Sequence, residues 1–275
     1  MKRIAKLAAW HWALARKPFL ALCAVFAAQQ LALLLAAAAL QANIGHSYAT
    51  LYAACWQPLA FLLGLAAALL VASAGLWRPG AARTGTALLT LPGPRWHLAA
   101  AQSALCALLA LIFTAWQVVL YALYYTPVTA LLAATAGAQL ATPSTVYYAQ
   151  MTAASTQPSM PATTLYAQAA LQPLFQALAP AFPLGWAVLA VGFACVAVQS
   201  GCLFFHRGWG RAVSAALWLC TCGGALLTVY GARQMHQYGF DLYGGALVVG
   251  LGAMAVPLAV QLPWTLLRLR RGELL

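Results

Sequence analysis

The chain has 275 residues, of which 64% are hydrophobic and 6% are charged, and its mean hydropathy is +0.83. A soluble domain needs more polar surface than this composition supplies, so we expect one polytopic membrane domain with little soluble mass. The formal net charge is +12, yet the 14 Lys and Arg lie in short segments between apolar runs. They form no basic face for nucleic acid, and charge beside anionic lipid is the favoured interpretation.

The first segment of the chain is basic and amphipathic. Its Lys and Arg residues project onto one side of a helical wheel, with Ile4, Leu7 and His11 on the other side. Trp10 and Trp12 suit the headgroup region of a membrane. We predict an interfacial helix over residues 1–18; the alternative is a basic segment in front of a signal anchor.

Six apolar runs follow, and each is long enough to cross a bilayer, which takes about 20 residues. We expect Pro58 to loosen or kink the outer turn of the second run, and Tyr121, Tyr124 and Tyr125 to mark the outer end of the third as an aromatic belt. The fold class predicted is an all-α polytopic membrane protein. The spans are about 19–40, 51–76, 98–125, 183–205, 212–231 and 242–267.

Charge sets the orientation of these spans, because cytoplasmic segments carry an excess of Lys and Arg. With six spans, the outside segments hold only Arg233, and a miscounted span would spoil this asymmetry. Both termini are therefore expected in the cytoplasm. The basic residues expected inside are Lys2, Arg3, Lys6, Arg16, Lys17, Arg78, Arg83, Arg95, Arg207, Arg211, Arg268, Arg270 and Arg271.

The only large segment predicted outside the membrane is residues 127–181, which contains no charged residue, Cys or His. It is rich in Thr, Ser, Gln, Tyr and Pro, and residues 128–141 and 163–179 suit Ala-rich helices. Loops of this length are uncommon unless they are functional or disordered. Its aromatic residues favour an ordered extracytoplasmic cap.

The residue types needed for catalysis are scarce. The only two acids, Asp241 and Glu273, lie outside the spans, which disfavours a proton relay. Ser200 invites comparison with an intramembrane serine protease but lacks a spanning His partner. We expect no catalytic site and no metal site, because the five His lie at span ends and the seven Cys, all within or beside apolar runs, are typical of small buried hydrophobes.

The spans do contain neutral polar side chains. In hydrocarbon such groups pair across helices, so interhelical hydrogen bonding is the simpler interpretation; the functional alternative is a polar path for an amphiphilic cargo. The Gly pairs at 223–224 and 244–245, with Gly250 and Gly252, favour close helix packing over a permeation filter. The candidate path residues are Gln29, Gln30, Gln57, Thr114, Gln117 and Gln199.

A short insert between spans two and three, residues 77–97, carries Arg residues around an apolar stretch. Arg side chains avoid hydrocarbon, whereas the leucines are too apolar for a plain linker, so we predict a short cytoplasmic surface helix. The insert reads Arg83-Thr84-Gly85-Thr86-Ala87-Leu88-Leu89-Thr90-Leu91-Pro92, followed by Arg95.

This insert, the basic first segment and the six-span topology together resemble an ABC-2-type (type V fold) ABC transporter permease. The family's insert commonly reads Gly-Thr, two Leu, Leu-Pro and Arg. The acidic residue that often precedes Gly-Thr is missing here. The external segment follows span three, whereas better-known members carry theirs between spans five and six. This resembles permeases of bacterial peptide-antibiotic resistance and bacteriocin-immunity exporters.

The resemblance implies that the insert is a coupling helix, which docks into a groove of a separate ATPase subunit. The chain has no Gly-rich phosphate loop, so ATP and Mg would be bound by that ATPase, and this chain would carry no cofactor. Six spans are half a transporter, which implies a second permease, identical or different. The coupling residues implied are Arg83, Thr84, Gly85, Thr86, Leu88, Leu91, Pro92 and Arg95.

Two functions remain open at this point. The first is a permease subunit in a bacterial cytoplasmic membrane, exporting an amphiphilic or peptide-like cargo in contact with membrane lipid. The second is a non-transport accessory or assembly protein whose extracytoplasmic cap binds a partner. Copurification of an ATPase distinguishes them.

Overall fold

A computed structural model describes residues 2–40, 48–72, 94, 96–139, 182–206, 209–238 and 240–271. Helices are the only regular elements over these residues, as expected for a chain rich in Ala and Leu. A short 3-10 turn, Leu203–Phe205, follows the fifth helix. The helices are α1 Lys2–Leu40, α2 Tyr48–Ala54, α3 Gln57–Val71, α4 Trp96–Gln139, α5 Pro183–Cys202, α6 Trp209–Tyr238 and α7 Phe240–Arg271.

Among the described residues, five helices are long and apolar enough to cross a membrane. Their apolar parts agree with the first, third, fourth, fifth and sixth predicted spans. The protein is therefore an α-helical multi-pass membrane protein. The five helical segments are Ile4–Ala39, Trp96–Leu132, Pro183–Cys202, Trp209–Met235 and Gly244–Arg271.

The second predicted span is broken into two helices. A cysteine and Trp56 separate α2 from α3, and Trp56 has a positive φ of 57°. Pro58 has no amide hydrogen to donate to the carbonyl of Ala54, and α2 ends at that residue. The proline thus acts where the sequence predicted a kink, but the result is a complete break, and α3 has only 15 residues.

The first helix runs through the predicted boundary at residue 18. α1 contains Pro18 yet is continuous over 39 residues, so the basic segment and the first span belong to one helix. The helical wheel drawn from the sequence is confirmed, since Leu7 and His11 are buried whereas Lys6 and Arg16 are exposed. The interfacial position of residues 1–18 stays a prediction.

The fourth helix extends well beyond the third predicted span. α4 has 44 residues and continues past Pro127 into the segment predicted as the cap. At 1.5 Å per residue it is about 66 Å long, roughly twice the thickness of a hydrocarbon core. The helix predicted from residue 128 is therefore the end of α4, while residues 140–181 lie outside the described part of the chain.

The chain divides into two compact units. Unit 1 contains Met1–Leu20, Ala66–Ile112 and Ala177–Leu275. Unit 2 contains Ala21–Leu65 and Phe113–Gln176. Each unit is described on its own below.

Within unit 1, α6 and α7 pack extensively against each other. A Cβ on Gly224 would lie 2.9 Å from the carbonyl oxygen of Gly250, and one on Gly250 would lie 2.7 Å from the backbone nitrogen of Thr228. These two glycines permit the close helix approach predicted from the sequence. The same prediction is wrong for Gly223, Gly245 and Gly252, where an added Cβ would meet no atom within 4 Å.

The connection between α6 and α7 is shorter than predicted. The expected outside turn covered residues 232–241, yet α6 continues to Tyr238 and α7 begins at Phe240. Residues 232–235 include good helix formers and no Pro or Gly, so nothing in this sequence ends the helix early.

A cluster of buried apolar side chains joins distant parts of unit 1. It contains Leu7 of α1, Leu98 and Ala99 at the start of α4, Phe205, and Leu269 at the end of α7. Ala101 completes this set, the terminal cluster. Four segments are predicted to lie on the cytoplasmic side of the membrane. Each of them contains a residue of the terminal cluster or is directly adjacent to one.

Unit 2 has an aromatic core. The rings of Phe61 and Phe113 stack with centroids 5.9 Å apart, and Phe26 lies 4.9 Å from Phe113. A Cβ on Gly64 would lie 2.5 Å from Phe113 Cζ, so only glycine fits against these rings without a shift. Large rings thus fill the space between α1, α3 and α4 within this unit.

Candidate functional site

Two of the predicted path residues pair with each other in unit 2. Gln30 Nε2 of α1 donates to Gln117 Oε1 of α4 at 3.0 Å, and Gln117 Nε2 donates back to Gln30 Oε1 at 3.3 Å. Gln117 also donates to the hydroxyl of Tyr52. Both amides are completely buried. This arrangement agrees with interhelical hydrogen bonding rather than with a group awaiting cargo.

Four tyrosines surround one end of this pair. Tyr48 lies 5.1 Å from Tyr121 and 5.3 Å from Tyr125 between ring centroids, and Tyr52 lies 4.8 Å from Tyr121. The Tyr48 hydroxyl donates to the Tyr121 carbonyl at 2.8 Å. The predicted aromatic belt is therefore wrong for Tyr121 and Tyr125, which are 2% and 5% exposed inside unit 2.

The spacing of the tyrosines in the sequence indicates this cluster. Tyr48 and Tyr52 are four residues apart, as are Tyr121 and Tyr125, so each pair lies on one helix face. The first pair straddles the predicted start of the second span and the second pair lies in the third span, and two such faces on consecutive segments indicate contact. Tyr124 is buried as well, and its hydroxyl donates to the carbonyl of Ala27 at 2.7 Å.

Gln57 is placed differently from the paired amides. It is the first residue of α3, directly after the helix break at Trp56, and it is completely buried. Neither Gln57 Oε1 nor Gln57 Nε2 has a hydrogen-bond partner. A buried amide without partners costs roughly 1–3 kcal/mol, so this side chain is destabilising in its present surroundings.

The remaining path residues of unit 2 are more accessible. Gln29 is exposed on α1, and Thr114 of α4 is half-buried. Ala24, Ala28 and Ala32 are exposed on the same helix as Gln29. An amide facing hydrocarbon is unfavourable, and small residues at this spacing let a second helix approach closely.

Gln199 is the one path residue in unit 1. It is completely buried on α5, and both its amide atoms lack a hydrogen-bond partner. Its neighbour Ser200 is fully engaged, because Ser200 Oγ donates to the Val196 carbonyl at 2.7 Å and accepts from Trp218 Nε1 at 2.7 Å. Ser200 is therefore a structural hydroxyl that links α5 to α6.

Other amides and small residues of unit 1 serve helix packing. Gln102 Nε2 of α4 donates to the Ala72 carbonyl at 2.8 Å, and Gln261 of α7 donates to Ser214 of α6. A Cβ on Gly201 would lie 2.7 Å from the backbone nitrogen of Ser103, so α5 and α4 approach closely at this point. These contacts hold the helices in register.

A histidine is buried between the end of α5 and the last turns of α7. His206 Nε2 lies 3.0 Å from Thr265 Oγ1, and its ring centroid lies 3.9 Å from that of Trp264. Burial lowers the pKa of His206 to about 4, and the guanidinium of Arg268 contributes in the same direction. The ring is therefore neutral at physiological pH, and its hydrogen bond and stacking fix the chain where α5 ends.

A cleft of about 440 Å³ opens between the start of α4 and the last turns of α7. Pro94 and Trp96 line one side, and Leu266, Leu269 and Arg270 line the other. Among the described residues that line it, Arg270 carries the one charged group and the other four are apolar. Sequence reasoning missed this cleft, because the two sides are more than 160 residues apart in the chain and no local pattern connects them.

The predicted coupling residues lie outside the described part of the chain. The nearest described residues are Pro94 and Trp96, and Trp96 is 50% exposed at the start of α4. The residues concerned are Arg83, Thr84, Gly85, Thr86, Leu88, Leu91, Pro92 and Arg95. Their helical structure and their role stay predictions.

Groups suited to metal binding are not brought together in the regions that the structure covers, where no set of three His, Cys, Asp or Glu side chains is close enough for an ion. All seven cysteines are free thiols. Cys106 and Cys202 are buried as expected, whereas Cys220 is exposed on α6. Gln57 and Gln199 are the two described amides that are buried with neither polar atom hydrogen-bonded.

Comparison with protein-family models, with curated proteins and with solved structures finds no match to this chain.

Proposed function

We propose that this protein is the permease subunit of an ATP-driven transporter of the ABC-2 type, with six spans, both termini in the cytoplasm and a coupling helix between spans two and three. It would form half of a translocation path in a bacterial cytoplasmic membrane. The cargo class proposed is amphiphilic or peptide-like, and the direction is export.

The observation that carries the proposal is the composition of the terminal cluster. It joins α1 near the amino terminus, the start of α4 directly after the insert, the residue before the turn at 206–211, and the end of α7. Charge counting independently assigns these four segments to one side of the membrane. The insert would then lie on the same side of the membrane as both basic termini. A cytoplasmic ATPase would be able to bind it there.

Energy would enter through the insert. The chain has no GK[ST] phosphate loop, so ATP and Mg would be held by the partner ATPase. Leu88 and Leu91 would anchor the insert in a groove of that subunit, while Arg83 and Arg95 would make charged contacts at its edge. Movement of the insert would then be transmitted to α4, which begins at Trp96.

The unpartnered amides suggest where cargo would pass. Gln57 and Gln199 each bury an amide whose two polar atoms have no partner, in unit 2 and unit 1 respectively. A peptide bond or another neutral polar group would satisfy such an amide. Gln30 and Gln117 fit this role less well, because they already bond to each other.

A second permease would cover the exposed face of α1. Gln29 lies there beside Ala24, Ala28 and Ala32, all of them exposed. Contact with a partner helix would shelter the Gln29 amide from hydrocarbon and bring the backbones close together. Such pairing would complete the half transporter.

The test is purification of the tagged chain from its native membrane, followed by measurement of ATP hydrolysis. We expect an ATPase carrying a GK[ST] loop to copurify, and we expect the variant Arg83→Glu with Leu88→Asp to lose it. The control, Gln168→Glu with Leu171→Asp, adds acidic groups to the predicted cap and should keep the ATPase. An intact complex in the insert variant would overturn the proposal, and copurification of a partner lost only in the control variant would favour an accessory protein.

A further inference from the structure

The cleft between the start of α4 and the end of α7 has the character of an amphiphile site. Its volume is about 440 Å³, within the range of about 300–1,000 Å³ usual for small-molecule sites. Leu269 is 1% exposed and belongs to the terminal cluster, and Leu266 packs against that cluster. One wall of the cleft is therefore continuous with the apolar core of unit 1.

The rim of the cleft is cationic. Arg270 lines it, whereas Arg268 and Arg271, in the same last turn of α7, do not line the cleft. Arg268 is placed over the ring of Trp264 at 5.7 Å, which holds its charge near this end of the helix. The entire chain contains two acidic residues against 14 Lys and Arg. An anionic partner is therefore the complementary one.

We propose that this cleft binds one anionic phospholipid, with the phosphate toward Arg270 and part of an acyl chain along Leu266, Leu269 and Trp96. An inorganic phosphate would use the guanidinium but leave the apolar wall exposed to water. A zwitterionic lipid would cover the apolar wall, but its headgroup would be attracted less strongly to Arg270. Basic pockets between membrane helices at the cytoplasmic surface are suited to anionic headgroups.

The proposed site depends on the membrane placement of α4 and α7, and not on transport. Trp96 is half exposed, and an indole at a helix end is suited to the headgroup level. The lipid would bridge the first turn after the insert and the carboxy-terminal turn. Its loss would therefore loosen the contact between these two helix ends.

Native mass spectrometry of the full chain in mild detergent tests the proposal, with phosphatidylglycerol and phosphatidylcholine titrated separately. We expect one phosphatidylglycerol molecule to bind tightly and phosphatidylcholine to bind with lower affinity. Arg270→Gln should weaken phosphatidylglycerol binding about fivefold, and Arg270→Lys should weaken it less. Leu266→Trp, which fills the apolar side, should also weaken it.

The matched control is Arg271→Gln, which removes the same charge from an exposed neighbour that does not line the cleft. Its affinity should stay within about twofold of the unmodified chain. Equal weakening by Arg270→Gln and Arg271→Gln would overturn the site, as would equal affinity for the two lipids. Displacement of the lipid by excess inorganic phosphate would also contradict it. Circular dichroism of each variant establishes that the helices are retained.

Discussion

The amides of Gln30 and Gln117 bond to each other in both directions, at 3.0 Å and 3.3 Å, inside unit 2. Both side chains are shielded completely from solvent. Neutral amides paired in this way stabilise contact between α1 and α4 without placing a charge in the membrane. They also remove two of the six candidate groups from the proposed cargo path.

Replacing one of these glutamines should destabilise the fold. Gln30→Leu removes one of the two described side-chain partners of Gln117 and leaves Tyr52, and we expect a loss of about 1 kcal/mol. The double variant with Gln117→Leu should lose less than the sum of the single variants, because no amide then stays half-satisfied. Unfolding in detergent measures all three. Gln29→Leu is the matched control, and strictly additive losses would contradict the pairing.

Close packing of α6 and α7 predicts a sharp difference between two nearby glycines. Gly250→Ala places a methyl group 2.7 Å from the Thr228 nitrogen, so the helices must separate, at a cost of about 1–3 kcal/mol. Gly252→Ala enters open space and should leave stability unchanged or raise it, because alanine favours helix. Unfolding midpoints compare the two. A tolerated Gly250→Ala would show that the helices are further apart.

Burial of His206 predicts acid sensitivity. Its pKa in the folded chain is about 4, against 6.5 when unfolded, so the unfolded chain binds more protons between these values. The contribution of the neutral ring to stability is therefore full above about pH 6.5 and falls as the pH drops toward 4. His206→Gln should flatten the pH dependence of the unfolding midpoint in that window. Parallel curves for the two proteins would contradict a buried neutral histidine.

The topology predicts which segments an impermeant thiol reagent can reach. In a chain whose own cysteines are replaced, Ser155→Cys in the predicted cap should react in intact cells. Thr86→Cys in the insert should react only after the membrane is opened. Labelling of both in intact cells would place the insert outside and end the proposal that it meets a cytoplasmic ATPase.

The helical membrane fold follows largely from composition and from the length of the apolar runs. Pro58 also predicted a disturbance of the second span, though the sequence could not distinguish a kink from the break at Trp56. The end of α4 was missed, because Pro127 resembles a helix boundary yet lies within the helix. A proline inside a membrane helix is tolerated where neighbouring groups satisfy the freed carbonyl.

Pairing between helices was much less accessible to sequence reasoning. Polar residues at Gln30, Gln117, Gln57 and Gln199 all have the same local pattern, an amide in an apolar run. Only the packing of helices distinguishes the paired amides from the unpartnered ones. The cleft at Trp96 and Arg270 is likewise a product of helix packing. Its two sides come from two separate sequence segments of unit 1, Ala66–Ile112 and Ala177–Leu275.

Photo-crosslinking from the insert tests most directly whether residues 83–95 bind an ATPase subunit, as we propose. A benzophenone side chain introduced at Leu88 in native membranes should give a light-dependent adduct with a protein that carries a GK[ST] loop. The same group at Thr164, in the predicted cap, should give no such adduct. Absence of an ATP-binding protein from the Leu88 adducts, or equal capture of it from both positions, would contradict the claim.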